Sequence, residues 1–411
     1  MSVGGIVAEY NPFHNGHKFQ IDSLKEKGFS QVVVALSGNF VQRGDAAIID
    51  KWSRAKAAIG GGADLVVEIP TCYCLSPAEK YAFGAISSLE NLKVVDTLCF
   101  GSESADESLI ETLALKILRD EKVENRLKEI LKSGVSFPFA REKAVEEIYG
   151  EKFSKILKNP NDTLGIEYLN AIKKLKSKMD FCVIKRTGVN HDEMSVSGNI
   201  ASASKTRELI LYDENYQKFL PEYSADEIKS AIENKKAPAL LKNAERAVLY
   251  SLRNKTQDDF LKIPDISEGL ESRIKTASDT ACDLDELYSL IKTKRYTLAR
   301  VKRLVLSAVL GIEKYEMPPY IRVLGFSENG KELLKEIKQQ ADLPLVSCLS
   351  DIKKLSTRLI LKTSFKSLFH QFLLMNRSTQ ELIFMIIKMI TLCFLGHRSL
   401  LKLTSNAMVQ I

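Results

Sequence analysis

Two histidines three residues apart, His14 and His17, are the side chains in this chain best placed to do chemistry. They lie in the run Glu9-Tyr10-Asn11-Pro12-Phe13-His14-Asn15-Gly16-His17. The run follows a short apolar segment, Gly5-Ile6-Val7-Ala8, and leads into an amphipathic one, Lys18 to Lys25. Strand, tight loop and helix is the arrangement in which backbone N–H groups and a helix dipole converge on an anion. Gly16 removes a side chain where a ligand would approach, and the spacing brings both imidazoles to one face. That constellation suits holding a triphosphate and stabilising the charge that develops when its α-phosphate is attacked. Asn, Pro and Gly in this order are also ordinary turn formers, and either histidine alone would read as structural. Two of the chain's five histidines in one turn favour chemistry.

The elements that must position this turn follow from the pattern of apolar runs. Gln31 to Leu36, Asp64 to Pro70 and Val94 to Phe100 are short apolar runs ended by turn residues, as buried parallel strands are. Helical stretches from Asp50 to Ile59 and Ala78 to Leu92 alternate with them. This repetition predicts an α/β fold with a parallel sheet covered on both faces. Ligands of such sheets bind beyond the carboxyl ends of the strands, where His14, Ser37-Gly38, Pro70 and Gly101 would share a crevice. Residues 105–178 read as helical, broken at Gly134 to Pro138 and at Asn159 to Asp162, before a strand returns at Phe181 to Arg186. They form an expected insertion. Ile200-Ala201-Ser202-Ala203-Ser204-Lys205-Thr206-Arg207 starts another helix, with hydroxyls that serve either as plain N-caps or as phosphate contacts.

The expected organisation is a domain over 1–215, a mostly helical domain over 216–355 and an atypical tail over 356–411, with no repeats. The net charge of +7 is misleading. The stretch from Ile352 to Ile411 carries nine Lys or Arg and one acid, Glu381, so the rest of the chain is near neutral. Basic surface must therefore come from local clustering. Lys292, Lys294, Arg295, Arg300, Lys302 and Arg303, with Tyr296 among them, form such a cluster. It reads equally as a phosphate-contacting stripe or as a solvated helix face. In the tail, Leu382 to Leu395 is apolar but contains Lys388 and is short for a membrane span. A buried helix, a partner-binding segment and an out-of-frame end of the gene all fit it. The N-terminus runs straight into the first strand pattern, so no signal peptide is expected. Seven cysteines (Cys72, Cys74, Cys99, Cys182, Cys282, Cys348 and Cys393) lack metal spacing. They are expected as reduced, buried thiols of a cytoplasmic protein, with no disulfide and no protein-held metal.

His14-Asn15-Gly16-His17 after a first strand resembles the HxGH signature of the nucleotidylyl transferase superfamily, and Ile200 to Arg207 resembles its second, phosphate-gripping motif. More closely, Val7 to His17, Ser37 to Gly44, Phe100 to Glu103, Asn161 to Tyr168 and Ser267 to Leu270 resemble the bacterial tRNA(Met) cytidine acetate ligase family. So does the basic segment near Tyr296. The likeness covers roughly 1–355 and fades in the tail.

The resemblance implies a Rossmann-like parallel sheet of the HxGH type with a helical insertion and a mostly α-helical C-terminal domain. It implies a ligase that uses ATP, with Mg2+, to convert acetate to acetyl-adenylate. The acetyl group then passes to the N4 amine of the wobble cytidine of elongator tRNA(Met). His14, His17 and Arg186 would be catalytic. Nucleotide contacts would fall on Val7, Ala8, Glu9, Tyr10, Asn11, Pro12, Phe13, His14, Asn15, Gly16, His17, Lys18, Phe19 and Gln20. Gly101, Asn161, Arg186, Ser202 and Ser204 would add to them. The helical domain would bind tRNA through Lys292, Lys294, Arg295, Tyr296, Arg300 and Arg303. No membrane and no obligate protein partner is implied. Family members often read Asn-Asn where this chain has Asn161-Asp162, which leaves open which of the two faces the nucleotide. A small-molecule adenylyltransferase of the same superfamily is the alternative, and a non-enzymatic, ATP-dependent RNA-binding protein is a third reading.

Overall fold

The structure, a computed structural model, describes the chain except for residues 1, 187–195, 213, 268, 314–319, 349–350 and 352–411. The tail expectations, including Leu382 to Leu395, lie outside the described residues. The sheet strands are β1 (Val3–Ala8), β2 (Gln31–Ser37), β3 (Leu65–Ile69), β4 (Thr97–Ser102), β5 (Asp180–Lys185), β6 (Ile321–Phe326) and β7 (Leu345–Val346). They form a seven-stranded sheet in the order β7-β6-β3-β2-β1-β4-β5. All neighbours are parallel except β6, which runs antiparallel to β3. The strand order reverses between β1 and β4, the switch point at which open α/β sheets bind ligands.

Alternation along the strands divides the core. Val32, Val34 and Leu36 of β2 pack on one face with Ile21, Leu24 and Ala58. Val33 and Ala35 pack on the other with Tyr81, Ile86 and Leu89. Both faces are therefore covered by helices, which is why β2 reads as one unbroken apolar run.

The helices that matter for the site are α1 (Asn15–Glu26), α2 (Lys51–Gly60), α3 (Ala78–Glu90), α4 (Pro160–Leu175), α5 (Ala203–Leu211) and α6 (Leu298–Leu310). Asp50 caps α2, its carboxylate accepting from the Ser53 N–H at 2.9 Å. The break expected at Asn159 to Asp162 is the start of α4, where Pro160 takes the first turn without losing a bond. Helices fill the stretch between β4 and β5, and six more, α6 last, fill residues 222–310. The chain then returns to the sheet as β6 and β7, so the sheet draws strands from both ends of the described chain. Val301, Leu304 and Val305 of α6 continue the same core that lies under α3, so the helical region is packed onto the sheet rather than tethered to it.

The expectation of buried thiols fails at two positions. Cys72, Cys74 and Cys99 are buried and Cys182 is half-buried, but Cys282 and Cys348 are exposed. Each of these two follows a helix or strand end in a surface loop, where nothing packs over it.

Candidate active site

The turn after β1 is built from its own backbone. His14 is the N-cap of α1, in extended conformation. Its Nδ1 accepts from the Gly16 N–H at 3.1 Å, while the His14 N–H donates to Nδ1 of His17 at 3.2 Å. Each ring thus uses Nδ1 as an acceptor, which leaves Nε2 to carry the proton of the neutral imidazole. The two rings stack at 3.7 Å between centroids, inclined by 20°. Tyr10 and Phe13 support them from beneath: both are buried, and Tyr10 lies 4.8 Å from the Phe13 ring and 4.7 Å from the His17 ring.

The turn opens on a cavity of about 620 Å³ at the β1–β4 switch point, a size typical of ligand pockets. Of the expected nucleotide contacts, Val7, Ala8, Glu9, Tyr10, Asn11, His14, His17, Gln20, Gly101, Asn161, Arg186 and Ser202 line it. Gly16 and Phe19 line an adjoining recess, which shares His14, His17, Gln20, Gly101, Arg186 and Ser202 with the main cavity. The recess therefore continues the main cavity and carries the donors of both histidines, Arg186 and Ser202.

Pro12, Phe13, Asn15, Lys18 and Ser204 line neither space. The Phe13 carbonyl accepts from Ser224 Oγ at 2.7 Å. Asn15 donates to the carbonyls of Asn199 and Lys218 at 2.7 and 3.1 Å, tying the turn to the α5 region. Lys18 pairs with Asp22 one helical turn away. Ser204 accepts from Arg207 Nη2 at 3.0 Å.

Arg207 is the cavity residue that the sequence pattern did not single out. Its Nη1 donates to the Asn11 carbonyl at 2.8 Å, joining α5 to the histidine turn. Burial lowers its pKa, and the nearby Glu9 carboxylate opposes that effect. The signal was present, since Arg207 closes the hydroxyl-rich motif, but the hydroxyls are that motif's more conspicuous feature. Tyr81, Phe100 and Tyr168 add aromatic wall, and Arg43, Asp45 and Lys302 add charge.

The corner between β4 and α4 gives Asn161 and Asp162 different surroundings. Asp162 is fully buried. Its Oδ1 accepts from Ser102 Oγ, and its Oδ2 accepts from the Ser104 N–H at 3.2 Å and Asn159 Nδ2 at 2.8 Å. Asn161 donates its amide to Glu103 and lines the cavity. The acid at the second position thus closes a loop and leaves the cavity wall to Asn161. Arg186 also lines the cavity, drawn down in pKa by burial and held up by the same Glu103. It remains a cation at neutral pH, as guanidinium groups do.

The basic segment divides. Lys292, Lys294 and Arg295 are exposed, as a phosphate contact requires. Tyr296 is half-buried, its hydroxyl 3.2 Å from Ser267 Oγ. Arg300 pairs with Asp265 at 3.1 Å and lies over the Tyr296 ring at 5.0 Å. Arg303, expected to meet RNA, is instead buried and donates to the Gln42 carbonyl at 3.2 Å. The reason is helical phase: Val301, Arg303, Leu304 and Val305 of α6 are all buried, so the side chain is carried into the junction. Lys302 lines the cavity and pairs with Asp45 at 3.3 Å. Gly44, at φ +79°, makes this junction possible, because a Cβ there would lie 2.7 Å from the Arg303 nitrogen.

Among the described residues no helix is long and apolar enough to cross a membrane. Comparison with known proteins agrees with the geometry. The HIGH Nucleotidyl Transferase family matches residues 1–382. The tRNA(Met) cytidine acetate ligase of Thermoanaerobacter sp. (strain X514) is 40% identical over 365 residues, covering 86% of this chain and 90% of the relative. That of Acetivibrio thermocellus is 36% identical over 372 residues, covering 86% and 90%. Crystal structures of Thermotoga maritima TmcAL are similar throughout. The apo form superimposes with a TM-score of 0.86 at 33% identity, covering 94% of this chain and 95% of that one. The form bound with alpha-thio ATP gives 0.84 at 32% identity, with the same coverage.

Proposed function

The chain belongs to the HIGH nucleotidyl transferase family and, within it, to the tRNA(Met) cytidine acetate ligases, and from that premise we propose how its residues divide the work. The enzyme activates acetate with ATP to give acetyl-adenylate and pyrophosphate. It then acetylates the N4 amine of the wobble cytidine of elongator tRNA(Met). The observation that carries this reading is one cavity with two unlike approaches. A donor-rich recess of His14, His17, Arg186 and Ser202 lies at one end, and α6, with the exposed Lys292, Lys294 and Arg295 just before it, reaches the wall through Lys302.

The chemistry needs both. An exocyclic cytosine amine is conjugated and weakly nucleophilic, so the acyl group must be activated first. In the first step a carboxylate oxygen of acetate attacks the α-phosphorus, and pyrophosphate leaves. The Nε2 donors of His14 and His17, the N-terminus of α1 and Arg186 stabilise the charge growing on the phosphate oxygens. Gly101 lets the nucleotide approach the β4 end, and Asn161, bonded to Glu103 just beyond that strand, supplies a polar contact. Magnesium would arrive on the nucleotide, since it is ordinarily carried by phosphate oxygens and water. The described residues hold no cluster of three His, Cys, Asp or Glu that could cage an ion. In the second step the acetyl group moves to tRNA, whose phosphates Lys292, Lys294 and Arg295 contact. A small-molecule adenylyltransferase would need neither the helical region nor a cavity wall borrowed from it. We place the enzyme in the cytoplasm, acting without an obligate protein partner.

Two measurements test this. Purified protein should support ATP–pyrophosphate exchange that depends on acetate. Nucleoside mass spectrometry of tRNA treated with protein, ATP and acetate should show N4-acetylcytidine. Exchange without acetylated tRNA, or AMP transfer to a phosphorylated metabolite, would overturn the reading.

A further inference from the structure

One carboxylate in the cavity, expected from the resemblance among the nucleotide contacts, carries no charge-stabilising task in the first step. Glu9 is the first residue beyond β1, half-buried, and it lines the main cavity but not the adjoining recess. It is held from two sides. The Gln42 N–H donates to Oε1 at 2.7 Å. The Glu9 carbonyl accepts from Arg54, a fully buried guanidinium that also grips the carbonyls of Ser37 and Gly38. Its other oxygen, Oε2, meets no hydrogen-bond donor among the described residues. The second carboxylate on the wall, Asp45, is already paired with Lys302.

A fixed carboxylate is a poor companion for a triphosphate, because like charges repel at close range. It suits the opposite need. When the cytidine N4 attacks the acetyl carbonyl, the nitrogen becomes positively charged and its proton must leave before the product is stable. Building on the acetyl-transfer reading above, we propose that Glu9 is the general base of the second step. The N4 lone pair forms the N–C bond to the acetyl carbon. The C–O bond to the adenylate then breaks, with its electron pair going to AMP. The N4 proton passes to Glu9 Oε2 and from there to solvent.

Other groups around Glu9 are unsuited to this task. Tyr81 and Tyr168 are phenols pushed up by burial, hence neutral donors. Arg54 and Arg207 are cations, drawn down in pKa by burial, and have no free lone pair to accept a proton. Cys74 is a buried thiol pushed up to about 12. The histidine Nδ1 atoms are committed to backbone N–H groups.

Glu9→Gln keeps the size and the bond from Gln42 while removing the base. Acetyl-adenylate is first formed on the enzyme, then mixed with tRNA in a single turnover. The variant should transfer acetyl about 10²- to 10⁴-fold more slowly, and the acid limb of the pH–rate profile should vanish. Because the family resemblance also places Glu9 at the nucleotide, the telling quantity is the ratio: the loss in acetyl transfer should exceed any loss in acetate-dependent exchange by at least about tenfold. Formate added to Glu9→Ala should restore part of the transfer rate. A tenfold rise in the KM for ATP with transfer intact would make Glu9 a nucleotide ligand and overturn the proposal. A slower transfer with an unchanged pH profile and no formate rescue would make Glu9 merely structural. If the parent protein itself leaves tRNA unacetylated, the functional reading fails. If the parent acetylates tRNA and Glu9→Gln matches it, only the Glu9 assignment fails.

Discussion

The histidine turn and the basic segment before α6 look alike in the sequence, each a close-set group of chemically able side chains, but they fold by different rules. In the turn, the contacts that orient the two histidine rings are local. Gly16 donates to His14, His14 donates to His17, and the two rings stack because they sit three residues apart at a helix start. Spacing therefore translates directly into geometry. In the basic segment the decisive contacts are distant: Arg300 finds Asp265, Lys302 finds Asp45 and Arg303 finds Gln42. Sequence adjacency there says nothing about which cation meets solvent and which enters the junction. A catalytic motif can be read from its letters. A binding surface needs the fold.

The sharpest way to break this comparison is to remove a histidine. His14→Ala or His17→Ala should lower acetate-dependent ATP–pyrophosphate exchange about a hundredfold or more, the usual effect of losing one preorganised donor. His14→Ala also removes an N-cap, at a cost of about 0.5–2 kcal/mol in stability. Circular dichroism and thermal unfolding separate the two losses. Near-parental exchange in a folded double variant would mean that the turn is structural and the chemistry lies elsewhere.

Arg303→Glu comes next, because it tests the junction rather than the site. Burial pulls the Arg303 pKa to about 10, and Asp265 opposes that effect. A carboxylate in its place would lack the bond to the Gln42 carbonyl and would face Asp265. Unpaired buried charge typically costs about 3–5 kcal/mol. The expected outcome is a lower unfolding midpoint that salt does not restore, with acetyl transfer falling more than exchange because Gln42 also holds Glu9. An unchanged midpoint together with weaker tRNA binding would return Arg303 to the RNA surface.

The same contrast explains what the sequence made legible. The strands from β1 to β4 announced themselves because each is a short run largely buried on both faces, as the fully buried Val32 to Leu36 shows, and the edge strand β5 still kept enough apolar residues to be read. The return of β6 did not, since its pairing with β3 joins residues far apart in the chain. Lys51 was equally hidden. A lysine at a helix start reads as surface, yet it is 2% exposed because Glu68 on β3 meets it at 2.8 Å. Asp162 read as a departure at a nucleotide contact, and its role is plain only with Ser102, Ser104 and Asn159 around it. Most of the expected nucleotide contacts line the main cavity. Those that miss it, such as Phe13 and Ser204, support the residues that do not.

The exposed half of the basic segment offers a smaller, cleaner effect. The triple variant Lys292→Glu, Lys294→Glu and Arg295→Glu leaves the junction pairs untouched. Binding of tRNA should weaken about tenfold or more at moderate salt. The slope of log affinity against log salt should flatten by about 0.7–0.9 for each phosphate that is no longer neutralised. Exchange in the absence of tRNA reports only the histidine end and should hold. Parental affinity and slope would show that the three cations are a solvated face, leaving the RNA to be held elsewhere.

Gly101 gives the finest probe, since it lies where the sheet end meets the cavity. Its Cβ would stand 3.2 Å from Arg186 Cγ, with its next neighbour, Arg186 Cδ, at 3.7 Å. That is tighter than ordinary packing but bears on a side chain rather than on backbone, so the fold should survive Gly101→Ala. What must give is Arg186, by a few tenths of an ångström, and Arg186 is the cation at the recess. The KM for ATP in the exchange assay should therefore rise about two- to fivefold, equivalent to roughly 0.5–1 kcal/mol. The affinity for tRNA should stay at the parental value. Gly101→Val adds two methyl groups more and should deepen the ATP effect several-fold with the same selectivity. Equal losses for ATP and tRNA, or a fall in unfolding temperature that tracks side-chain size, would make Gly101 a packing residue of the β4–β5 pair. Arg186 would then need direct substitution by lysine, which keeps the charge and loses the planar fork, to show whether the recess binds by geometry or by charge alone.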